Sequence, residues 1–129
     1  MTIILDHTIV TANDSHSAAT FFAEVMGLSV SPPSGPFVPV AVNESLTFDF
    51  DQRGQTLAGH YGFLVDEDTF QAVLDRLSKW PAVDYGSGPD GGWDRSATTL
   101  DGGRRVYVRD ADNGHTYELF TAPTQHPHG

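Results

Sequence analysis

The sequence predicts an α+β fold: two tandem βαβββ modules forming a curved mixed sheet around a cavity. Three observations carry this expectation. A strand-like run opened by a histidine occurs twice, as LDHTIV (5–10) and HYGFLV (60–65). Each run is followed by an acid- or Asn-capped amphipathic segment of helical period, and then by short strands. The chain therefore reads as one domain of 129 residues, with an N-terminal module 1–55, a C-terminal module 56–122 and a tail 123–129.

In the first module, residues 2–12 are rich in Ile, Val and Thr and read as a strand. Asn13 or Asp14 caps a helix whose stripe is Ala18, Phe22 and Val25, with Phe21 and Met26 at its edges. Gly27 ends that helix. SPPSGP (31–36) is a loop. FVPVAV and SLTFDFD are strands around a turn at Asn43-Glu44, and Pro39 marks the first as an edge strand.

The second module repeats this order. After HYGFLV, Asp66 or Asp68 caps a helix with Phe70, Val73, Leu74 and Leu77 on one stripe, closed by Pro81. Residues 83–103 read as a long Gly-rich loop. RRVYVRD and HTYELFT form a hairpin around ADNG. His115 reads as a turn residue, His16 as an exposed first-turn residue, and His126 and His128 as tail.

Seventeen acids against seven bases give a net charge of −10. That balance argues against nucleic acid and anionic membrane surfaces, which need clustered Lys and Arg. There is no cysteine, so any metal must use His, Asp or Glu. No apolar run reaches the ~18 residues of a membrane span. A cytoplasmic location is expected.

Aligning the two halves places His7 with His60 and Asp49 with Glu118. Two imidazoles and one or two carboxylates brought to a pseudo-twofold axis make a divalent metal site with open positions for substrate. Tyr107 and Trp93 are further cavity candidates, Trp93 as a lid. Arg104 and Arg105 alternate, so at most one of them faces the cavity.

LDHTIV followed by FFAEVMGL, HYGFLV followed by a helix, and VYVRDADNGHTYELF together resemble the vicinal oxygen chelate superfamily. That superfamily includes glyoxalase I, extradiol dioxygenases and bleomycin-resistance proteins. The resemblance spans nearly the whole chain. It implies metal ligands at His7, His60 and Glu118, and a fourth ligand at Asp49 in glyoxalase-type members. It implies a divalent ion (Zn, Ni, Mn or Fe), a small-molecule substrate and a homodimer. The expected activity is glyoxalase-like, a metal-dependent lyase or isomerase in which Glu118 or Asp49 moves the proton. The alternatives are a bleomycin-resistance-like sequestering protein and an Fe(II) extradiol-type dioxygenase. A fosfomycin-modifying role is a minor option, because loop 84–99 has no lysine and its only cation is Arg95. The sequence departs from the family pattern at the hairpin. DADNGHTYE has Ala111 where proline is usual, and one residue more before the glutamate. A one-residue slip would turn Glu118 to the opposite face of its strand.

Overall fold

A computed structural model describes residues 2–123. It is a mixed α+β structure with two helices and two sheets. The chain divides into two compact units: Met1–Gly59 with Asp112–Gly114, and His60–Ala111 with His115–Gly129. Apart from Pro123, the expected tail lies outside the described residues, and His126 and His128 with it. No helix among the described residues is long and apolar enough to cross a membrane.

The first unit contains β1 (His7–Thr11), α1 (Ser15–Met26), β2 (Phe37–Ala41) and β3 (Thr47–Asp51). The sheet order is β1-β3-β2, with β1 parallel to β3 and β2 antiparallel to it. The parallel pair requires a crossover, which α1 supplies. β1 is shorter than the predicted 2–12, and Ile3, Ile4 and Leu5 are exposed. Asp14 is the N-cap and accepts from the Ser17 amide. Gly27 ends α1 at φ 72°, a conformation that is cheap only without a Cβ. The predicted stripe is the buried one: Ala18, Phe22 and Val25 are fully buried. Phe22 stacks on Phe48 at 4.9 Å and meets Phe50 at 5.9 Å. Burying each such ring stabilises the unit by roughly 1.5–3 kcal/mol. Pro39 sits on the outer strand β2, where a missing N–H costs little.

The second unit contains β4 (His60–Leu64), α2 (Glu67–Ser78), β5 (Asp84–Gly86), β6 (Thr98–Leu100), β7 (Gly103–Asp110) and β8 (His115–Phe120). Its order is β4-β8-β7-β5, with β6 also paired to β7. β4 and β8 are parallel, and the other pairs are antiparallel. Asp66 caps α2, and Phe70, Val73 and Leu77 are fully buried. The 83–103 segment is more than a loop: it holds β5, a short 3-10 turn at Pro89–Gly91 and β6.

That segment is pinned at two places. Asp94 accepts from the Ser87 amide and hydroxyl at 2.9 and 2.7 Å. These bonds hold its carboxyl down to about 2. Arg95 lies over the Tyr85 ring at 4.5 Å and donates to the carbonyls of Val83, Leu77 and Trp80. The loop's only cation is therefore engaged with backbone carbonyls around the end of α2.

The ADNG turn has a structural task. The Asn13 amide donates to Asn113 Oδ1 at 2.8 Å, and Asn13 Nδ2 donates to the Asp112 carbonyl at 2.7 Å. Thr56 Oγ1 donates to Asn13 Oδ1 at 2.8 Å. Asn113 is buried. His115 is no turn residue: it opens β8, is fully buried, and lies against Tyr61 and Tyr117.

Candidate functional site

Strand alternation sends one set of side chains toward the helix and the other to the opposite, open face. On β8 the buried set is His115, Tyr117 and Leu119, so Thr116, Glu118 and Phe120 take the open face. The hairpin has therefore not displaced Glu118 to the helix side. Arg105, Tyr107 and Arg109 share the open face from β7, because Val106, Val108 and Asp110 are buried between them. Arg104 goes the other way, over the Phe70 ring at 4.6 Å and to Gln71 at 3.0 Å. Of the two adjacent arginines, Arg105 is the one on the open face.

Four open-face side chains of this unit form a connected set. His60 Nε2 lies 2.8 Å from Glu118 Oε1. An ionised carboxylate only accepts, so this contact places the proton on Nε2. Arg105 Nε lies 3.0 Å from the other oxygen, Oε2. Its N–H is not aligned as a hydrogen bond, so the contact is an ion pair without that directional bond. The Tyr107 ring stands edge-on to His60 at 6.1 Å, and Tyr107 is directly opposite Glu118 in the β7–β8 register. Gly62 is opposite Glu118 on the other side, where a Cβ would meet the Phe120 ring and Glu118 Oε1.

The first unit has the equivalent arrangement on its own open face. His7 is opposite Thr47, two residues before the Ile9–Asp49 pair. His60 is opposite Thr116, two residues before the Gly62–Glu118 pair. Asp49 and Glu118 thus occupy the same register position relative to their histidines. His7 Nδ1 is 2.9 Å from Asp6 Oδ2. That carboxylate holds the His7 pKa above its ordinary value, first through this hydrogen bond and then through charge, with Asp49 adding to the same effect. The contact leaves Nε2 of His7 as the nitrogen with a lone pair to offer.

Trp93 is half-buried on the pinned loop and has φ 59°. Its backbone passes close over Gly86, which faces Tyr107 in the β5–β7 register. Among the described residues, no three His, Asp or Glu side chains are gathered as a ligand set for a metal ion. The structure groups His60, Glu118 and Tyr107 in one unit, and His7 and Asp49 in the other. Sequence reasoning missed that Arg105 pairs with Glu118 and that Gly62 stands opposite it. The alternation of β7 was the available signal for Arg105.

No family model matches the chain, and no curated protein matches it. Among solved structures, Oxidase ChaP-H2 is 40% identical over 95% of this chain and 96% of its own, with a TM-score of 0.82. The chain belongs to the vicinal oxygen chelate superfamily. Oxidase ChaP-H1 is 35% identical over 95% and 98% of the two chains, with a TM-score of 0.81. The fosfomycin resistance protein FosX from Mesorhizobium loti shares the fold at 18% identity, covering 95% of each chain, with a TM-score of 0.66.

Structural neighbours in this superfamily typically use a divalent ion, and among the described residues of the second unit His60 and Glu118 are the paired donors that would hold one. A cation bound there would take the place of the Nε2 proton.

Proposed function

We propose that this chain is a divalent-metal-dependent enzyme of the Fe(II) extradiol-dioxygenase type, with dioxygen as the oxidant of a small oxygenated substrate and with His7, His60 and Glu118 as the metal ligands. The observation that carries the reading is the His60–Glu118 pair on an open face, in a chain 40% identical to a protein named an oxidase. Two histidines and one carboxylate suit Fe(II) and leave positions for substrate. When bound, Fe(II) would supply open positions for substrate oxygens and dioxygen and the redox capacity that joins them. In this reading the chain's own residues do the rest. Glu118 and His60 hold the ion. Tyr107, on the same face, offers its hydroxyl to a substrate oxygen, and Trp93 covers the entrance. A symmetric homodimer completes the site, and exposed Ile9, Leu57 and Leu64 supply apolar surface for the contact.

A second reading is the glyoxalase-type lyase or isomerase. It is favoured by Asp49, which holds the register position of Glu118 and would act as fourth ligand or proton-transfer base. Bound metal in untagged protein separates these readings from a metal-free sequestering module. Wild-type protein should take up one equivalent of Fe(II) under anaerobic conditions. His7→Ala, His60→Ala and Glu118→Gln should each lose it. Asp49→Asn should keep the ion and the activity in the oxidase reading; in the glyoxalase one it should lose the ion if Asp49 is the fourth ligand, or keep the ion and lose activity if it is the base. Wild-type protein that takes up no divalent ion overturns both.

A further inference from the structure

Both oxygens of Glu118 are engaged, and by different partners. Oε1 meets His60 Nε2 at 2.8 Å and Oε2 meets Arg105 Nε at 3.0 Å. The Arg105 and Glu118 side chains are only 15% and 14% exposed. Arg105 is not directly across from Glu118. It is opposite Phe120, and its guanidinium lies 5.7 Å from that ring's centroid. The ring supports the guanidinium beside the carboxylate, so the pair is held by packing as well as by charge. His60 and Arg105 Nε thus meet different oxygens of the one carboxylate.

We propose that Arg105 is a positioning residue that restricts Glu118 to a single coordinating oxygen, Oε1, and offsets its charge beside the metal. This rests on the reading that His60 and Glu118 hold a divalent ion. Removing the guanidinium has two effects of one sign. It frees Oε2 to join the ion, and it takes away a positive charge that repels the ion.

Co(II) serves as the probe, because its visible bands weaken as the coordination number rises. The full untagged chain is titrated with Co(II) against a competing chelator. Arg105→Gln should bind Co(II) roughly tenfold more tightly than wild type, with weaker visible bands. Arg105→Met, which keeps a stem over Phe120, should do the same and serves if the Gln variant does not fold. Arg105→Lys keeps a cation at Oε2 and should restore the wild-type bands, which a merely structural role for the arginine does not require. If wild-type protein binds no Co(II), the metal reading falls and this inference falls with it. If wild type binds and the Gln and Met variants match it in affinity and band intensity, this inference alone falls.

Discussion

Gly62 and Glu118 face each other directly across the parallel β4–β8 pair, as Ile9 and Asp49 do across β1–β3. The two positions are equivalent in register and opposite in consequence. A Cβ at Gly62 would sit 3.2 Å from Phe120 Cε1 and 3.8 Å from Glu118 Oε1. Gly62→Val should therefore crowd the carboxylate and lower divalent-metal affinity about tenfold, the scale of 1–3 kcal/mol of overpacking. Metal titration checks this, with circular dichroism showing that the strands persist.

The aromatic cluster of the first unit sets a second expectation. Phe22 is fully buried against Phe48 and Phe50. Phe22→Ala should lower the unfolding free energy by about 3–5 kcal/mol, read from urea denaturation.

Gly86 allows two chain segments to touch. A Cβ there would lie 2.5 Å from Asp94 Oδ1 and 2.6 Å from its backbone nitrogen. Because one obstacle is backbone, the loop itself must move. Gly86→Ala should cost about 1–3 kcal/mol and expose the loop to limited proteolysis before the rest of the chain.

Asp94 gives a pH signature. Its carboxyl is held down to about 2 from an ordinary 3.8, first by the Ser87 hydroxyl and amide and then by Ser96. A carboxyl depressed in the folded state adds stability above its unfolded pKa and loses it as pH falls through the folded one. Wild type should therefore exceed Asp94→Asn in urea midpoint above pH 4, and the gap should close toward pH 2.

Asn113 accepts from the Asn13 amide and is buried. Asn113→Ala leaves that amide without its acceptor. The expected loss is about 1–3 kcal/mol in denaturant unfolding, with faster hydrogen exchange at the Asn13 amide.

Much of this was legible in the sequence, because the signals were local. Helical stripes such as Phe70, Val73 and Leu77, the cap at Asp14, the stop at Gly27 and the ADNG hairpin each follow from neighbours a few residues apart. The equivalence of Asp49 and Glu118 followed from the repeat. β5 and β6 were not legible. Three-residue strands carry no periodicity, and theirs lie among glycines that read as loop. The burial of His115 and the task of Arg95 were hidden for a different reason. Both depend on partners distant in sequence, Tyr61 for one and the end of α2 for the other. The same holds for Arg105, whose alternation with Arg104 showed that the two differ but not which one meets Glu118.

The assignment of Asp112–Gly114 to the first unit bears on how the chain is made. The Asn13 amide waits for an acceptor 100 residues downstream. During synthesis, the segment through Gly59 leaves the ribosome long before that acceptor exists. Until then the Asn13 amide lacks the acceptor it has in the finished structure. Completion of the first unit is thus tied to the β7–β8 turn, and a nascent chain cut short before that turn carries two unfinished units rather than one finished and one missing.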